Sequence, residues 1–290
     1  MDRLRRIAAL AKLQLEKARA SSAVVDVVVR TFKRFSEDDG GTHTAALTYY
    51  TFFSIFPLLL FSASALGYVT FGDADLQDRL VESGLKTVPI LKDALTPRGL
   101  AILQERRGGL ALTATALAVY TGSGVIVALQ HALNRIWRVD TEPTFLVKRA
   151  KSLAWLVVLG LGAAASLVLS TIAGLAPARV AAVLTLIAAL AVNTGLFTAA
   201  FRFLPTIQRP WRDLLPGALV AAIGFELLKL GGSMYLRRGE DMRNATFGVF
   251  ATAAALLVAS FLIARVILMA AEVNAVLVER RTTRESSGPT

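Results

Sequence analysis

Residues 44–72 read TAALTYYTFFSIFPLLLFSASALGYVTFG, 29 positions without one charge. A bilayer hydrocarbon core about 30 Å thick is crossed by roughly 20 helical residues, so this run is long enough to span it. A helix packed on a soluble core would carry charges on its solvent face well before that length. Working outward, residues 108–134, 152–178 and 180–201 are equally free of Asp, Glu, Lys and Arg. Two more windows carry isolated charges: residues 214–236 hold Glu226 and Lys229, and residues 244–271 hold Arg265. The expected fold is all-α, a polytopic membrane protein of six transmembrane helices with amphipathic helices on the cytoplasmic and external sides.

Composition agrees with that class. Hydrophobic residues make up 54% of the 290 positions and charged residues 18%, below the roughly 25% charge of soluble domains. With 0 Cys there is no disulfide, thiolate metal site or cysteine nucleophile. The 2 His, His43 and His131, lie far apart in sequence and cannot build a metal centre alone, so no metal or other cofactor is expected. Net charge is +11 and the isoelectric point about 10.4. In a soluble chain this would suggest nucleic acid. In a membrane protein it marks the side facing the anionic cytoplasmic leaflet, and no nucleic-acid partner is expected.

Lys and Arg are unevenly placed. The segments before span one and after spans two, four and six hold 20 of them, and those after spans one, three and five hold 10. The positive-inside rule therefore sets both termini in the cytoplasm. The first long apolar run begins only at residue 44, so no cleavable signal is expected. Residues 1–43 form a basic N-terminal region in which Val25, Val28, Phe32 and Phe35 recur at helical spacing. Such a segment either lies among anionic headgroups or packs as a solvated helix on the cytoplasmic loops. Residues 73–107 read as short external amphipathic helices, and residues 280–290 as a disordered cytoplasmic tail.

Several polar positions are candidates for more than packing. Gly162, Ser166, Ser170 and Gly174 repeat every four residues in span three, a small-residue stripe that lets another backbone approach or lines a cavity. Span one carries Thr44, Thr48, Thr51 and Ser54, then Pro57, which removes an amide and predicts a kink. Glu226 lies about 18 Å into span five at 1.5 Å per residue, and an ionisable group at that depth normally faces the bundle interior. Lys229, three residues on, is close enough to pair with it, and Tyr50 and Ser54 are its expected neighbours from span one. This set forms the candidate transport cavity. His131, Asn134, Arg265, Glu272 and Asn274 are read as structural or interfacial polar groups, and a static Glu226–Lys229 pair stands beside the functional reading. No phosphate loop, nucleophile elbow or zincin pattern occurs.

In order along the chain stand Ala45-Ala46-Leu47-Thr48-Tyr49-Tyr50, Ser54-Ile55-Phe56-Pro57, Ala132-Leu133-Asn134-Arg135-Ile136-Trp137, Phe203-Leu204-Pro205 with Trp211, Pro216-Gly217-Ala218-Leu219, Lys229 with Tyr235, and Ala271-Glu272-Val273-Asn274-Ala275. With these motifs the chain resembles the YihY/BrkB family of bacterial inner-membrane proteins, some long labelled ribonuclease BN. The resemblance runs from about residue 30 to 280 and departs from the family pattern at Ala270 and Phe247-Gly248. It implies a six-helix inner-membrane protein with both termini cytoplasmic. Members are linked to serum resistance and, in one branch, to lipid A precursor traffic, so transport of a small solute or lipid is the leading expectation. A non-transporting scaffold or envelope-assembly protein is the alternative, and an enzyme is not expected. The expected partners are membrane lipids, with anionic headgroups on the cytoplasmic face, and an unidentified solute or lipid, with a second copy of the chain as a further candidate.

Overall fold

The computed structural model describes residues 16, 19, 21–69, 107–139, 143–173, 178–238 and 248–286. These residues form seven α-helices: α1 Ala23–Glu37, α2 Gly40–Val69, α3 Arg107–Ile136, α4 Phe145–Ala173, α5 Ala178–Phe203, α6 Trp211–Arg238 and α7 Gly248–Ser286. Most of the segment expected to lie outside the membrane, 73–106, and the last residues, 287–290, lie outside the described residues. Four helices carry stretches long and apolar enough to cross a membrane: Thr115–Ile136, Val180–Phe203, Trp211–Gly232 and Ala253–Ser286.

α1 begins at Ser22, whose Oγ accepts from the Val25 amide at 3.5 Å, and carries Asp26 in its first turn and Arg34 in its last. Both charges suit the helix dipole. The chain leaves α1 through Asp38 and Asp39, the latter in the left-handed region at φ 56°. Gly40 follows because a Cβ there would lie 2.5 Å from the Phe35 ring and 2.6 Å from its carbonyl oxygen. The corner between α1 and α2 is thus closed to any side chain.

α7 is the hub, packing on α1, α2, α3 and α6, while α4 and α5 complete the circuit from α3 back to α6. Close approach rests on small residues. A Cβ on Gly124 would lie 2.9 Å from the Tyr50 ring, and one on Gly162 would lie 2.9 Å from Leu196. The Gly162 position supports the packing reading of the span-three stripe. The side chains of Ser166 and Ser170, and residue Gly174, lie outside the description.

Among the described residues, the buried core gathers Leu133, Ile136, Phe201, Leu204, Leu214 and Leu268. Along α5, Val180, Val183, Leu184 and Ile187 are instead exposed, as lipid-facing residues are. The helices also outrun the charge-free windows. α4 starts at Phe145 rather than 152, and α7 continues from 271 to Ser286, so residues 280–286 are helical rather than part of an irregular tail. The last turns of α7 have partners that hold them: Arg280 Nη1 donates to the Ala23 carbonyl at 2.9 Å, and Arg281 Nη1 lies 2.6 Å from Asp213 Oδ1.

Candidate functional site

Two polar constellations stand out, one within the apolar spans and one at the basic end. The first is built on Glu226 of α6. Its Oε1 lies 2.6 Å from Lys229 Nζ and accepts from Asn193 Nδ2 of α5 at 2.7 Å. The Glu226 side chain is 12% exposed and that of Lys229 48%, so the carboxylate sits between α5 and α6 while the ammonium reaches outward. Lys229 also lies 5.3 Å from the Phe225 ring centroid. Ten residues from the end of α5, Asn193 stands about 15 Å along the helix axis, near the middle of a bilayer core. An amide, a carboxylate and an ammonium thus meet at depth.

Tyr50 and Ser54 are not in that group. Tyr50 lies against Gly124 of α3, and Ser54 Oγ donates to the Thr51 carbonyl at 2.8 Å. The reason is helix order: α2 packs on α3 and α7, whereas α6 sits between α5 and α7. Two further hydroxyls of α2 turn back on their own helix, Thr44 Oγ1 to the Gly40 carbonyl and Thr48 Oγ1 to the Thr44 carbonyl, both at 2.7 Å. α2 is assigned as one helix through Pro57. Asn193 carried no signal in sequence beyond being an amide in an apolar run.

The second constellation is centred on Arg34 of α1. Its Nη1 lies 2.7 Å from Glu279 Oε2, its Nε 3.3 Å from Glu272 Oε2, and its Nη2 3.8 Å from Asp38 Oδ2. Nη2 also donates to the Ile136 carbonyl at 2.9 Å, so one guanidinium ties α1 to the ends of α3 and α7. Arg138 approaches Asp38 from the other side at 3.9 Å. The Glu272 side chain is 1% exposed and that of Asp38 7%. Burial pushes the Asp38 carboxyl above its ordinary range, outweighing the attraction of Arg34 and Arg138. Asp26 adds a further link from α1, within 3.0 Å of Arg19, 2.9 Å of Arg30 and 3.7 Å of Arg280. With Asp26 and Arg34 turned inward, α1 leaves Val24, Val28 and Phe32 exposed in a stripe at four-residue spacing.

The remaining expected polar residues are structural ties. Asn134 Oδ1 accepts from the Thr206 amide at 2.8 Å, joining the end of α3 to the α5–α6 connection. His131 Nε2 lies 3.3 Å from Lys148 Nζ of α4. Asn274 Oδ1 accepts from the Gly217 amide at 2.7 Å, and its Nδ2 donates to the Leu214 carbonyl at 3.0 Å. Asn274 therefore serves the backbone groups beside Pro216 in the early turns of α6. A Cβ on Gly217 would collide with the Ala270 carbonyl oxygen, so α6 and α7 touch through backbone here. Arg265 holds its guanidinium 5.3 Å from the Phe35 ring and 5.9 Å from the Phe261 ring. Among the described residues no three His, Asp or Glu side chains are grouped to hold a metal ion.

Residues 31–290 match the sequence profile described as virulence factor BrkB. The chain belongs to the BrkB family. Relatives of this BrkB-family chain include the ribonuclease-like protein YfkH of Bacillus subtilis, 24% identical over 86% of this chain and 94% of YfkH. A UPF0761 membrane protein of Nitrosospira multiformis is 26% identical over 81% of this chain and 57% of that protein. The inner membrane protein YhjD of Escherichia coli is 26% identical over 71% and 68%. The chain thus spans little more than half of the UPF0761 relative. No solved structure matches it. With its apolar helices and relatives named as membrane proteins, this BrkB-family chain is a membrane protein.

Proposed function

We propose that this chain is a six-span inner-membrane protein with both termini cytoplasmic that passes a small solute or lipid, using Glu226, Lys229 and Asn193 as its polar station at membrane depth. The observation that carries the reading is the Glu226 carboxylate accepting from two helices inside apolar spans. Such a group is costly in a bilayer and is kept where a charge or proton must be handled. The half-exposed ammonium of Lys229 adds an accessible face to a carboxylate that is itself shielded. Convergence of α1, the end of α3, the α5–α6 connection and the end of α7 at one pole supports the six-span arrangement. These are the segments that carry the excess of Lys and Arg.

A scaffold role in the envelope is the second reading. It is favoured by two of the cavities lined by described residues, one of about 420 Å³ between α5 and α6 and one of about 280 Å³ beside Asp26. Neither is lined by Glu226. The ribonuclease-like name belongs to YfkH; in this chain two separated His offer no ligand cluster for metal-dependent RNA cleavage.

The test compares Glu226→Gln, Lys229→Met and the double variant for thermal stability and for complementation of a strain lacking the gene. A transport station predicts that Glu226→Gln folds within about 1 kcal/mol of the parent, since the amide keeps the bond geometry, yet loses activity. A double variant that is stable and fully active would end this reading and favour the scaffold.

A further inference from the structure

We propose that the groove between α5 and α6 binds an anionic phospholipid of the cytoplasmic leaflet, with an acyl chain along the groove and the phosphate at Arg202 and Arg212. The groove encloses about 420 Å³ and is walled by Ala191, Gly195 and Thr198 on α5 and by Trp211, Leu215 and Leu219 on α6. Its α5 wall is low because the residues are small, and a Cβ added to Gly195 would meet nothing within 4 Å. The Thr198 hydroxyl is consumed by the Thr194 carbonyl at 2.6 Å. From Trp211 to Leu219 the groove runs about 12 Å along the helix axis, within the roughly 15 Å of hydrocarbon that one leaflet supplies.

The mouth carries the headgroup chemistry. Arg202 holds its guanidinium 4.7 Å from the Trp211 ring centroid and 5.7 Å from that of Phe203, and its Nη1 donates to the Arg209 carbonyl at 3.1 Å. The cation is therefore set over the ring that forms the groove's entrance. Arg212 is exposed one residue along. Among the described residues no carboxylate lies within ion-pair distance of Arg202, Arg209 or Arg212; Asp213, the acid of this stretch, is taken by Arg281 at 2.6 Å. An apolar channel ending at unneutralised guanidinium groups beside a tryptophan complements a phosphodiester with its chain. A second copy docked face to face would set these cations against their own kind, which disfavours it as the occupant. The site rests on the six-span orientation but not on Glu226.

The experiment titrates delipidated protein in detergent with phosphatidylglycerol and, separately, phosphatidylethanolamine of the same acyl chains, following bound lipid by native mass spectrometry. Phosphatidylglycerol should half-saturate the parent at a concentration roughly tenfold below that for Arg202→Gln/Arg212→Gln or for Gly195→Phe, a difference of about 1.4 kcal/mol. Phosphatidylethanolamine should bind the parent as weakly as phosphatidylglycerol binds the variants. A second measurement leaves the groove intact: phosphatidylglycerol brominated on its acyl chain should quench parent fluorescence, and the quenched component should disappear in Trp211→Phe. Equal affinity for both lipids, unchanged affinity in the variants with Trp211 unquenched, or a dimer that becomes monomeric in Gly195→Phe while still binding lipid would each overturn the site. Loss of transport in Glu226→Gln with phosphatidylglycerol binding intact would separate the two proposals.

Discussion

Arg34 is the residue on which most partners depend. Its guanidinium meets carboxylates of α7 at Glu272 and Glu279 and a carbonyl of α3 at Ile136. Removing it strands the buried Glu272 carboxylate, and breaking a buried pair costs about 3–5 kcal/mol. Arg34→Met should lower the thermal midpoint in detergent by that measure, and adding Glu272→Gln should restore more than half of it. Asp38 gives a pH signature. Because burial raises its pKa in the folded protein, its protonated form favours folding fully below about pH 4, and that contribution is lost as pH rises through the raised value. Asp38→Asn should flatten this slope, gaining on the parent as pH rises above about 4, as read by denaturant unfolding at stepped pH. The Glu226–Lys229 pair was legible in sequence because three residues along a helix fixes proximity. Asn193, and the gathering of Arg34 with Glu272, depend on which helices become neighbours, and no local spacing encodes that.

For the elements, four of the six expected spans recur among the described residues as helices long and apolar enough to cross a membrane. The helix boundaries differ from the charge-free windows. Charge-free windows mark where lipid must be met, but a helix continues beyond the bilayer as long as its exposed turns find partners. α4 gains its first turns from Phe145 in this way, and α7 runs to Ser286 because Arg280 and Arg281 pair with Ala23 and Asp213. The Pro216-Gly217 interruption is accounted for by Asn274 and by backbone contact between α6 and α7. Two glycines of similar appearance should therefore behave oppositely. Gly217→Ala forces a methyl group into the Ala270 carbonyl and should cost about 2 kcal/mol or more. Gly195→Ala meets open space and should be neutral or stabilising by up to about 1 kcal/mol. Thermal unfolding of both variants in one detergent decides it.

For the whole molecule, the basic ends of α1, α3 and α7 meet through Arg34 and Arg280. Orientation follows as a prediction. Tags at both termini should be reached only from the cytoplasm, and one beside Glu82 only from outside; impermeant labelling of intact cells against lysed cells reads the difference. An externally labelled C-terminus would remove one of the six spans, and with it the proposed leaflet for the α5–α6 lipid.

The pairing of Arg34 with Glu272 and Glu279 spans nearly the full length of the chain. Membrane helices are delivered to the bilayer in order of synthesis, beginning at the N-terminus. α1 is therefore made long before α7, and Arg34, paired early with Asp38, meets Glu272 and Glu279 only once α7 is in place. Closure of this cluster is an event of final assembly: it records that every intervening helix has been inserted in the right sense. A chain stopped short of α7 leaves Arg34 without either of these two carboxylates.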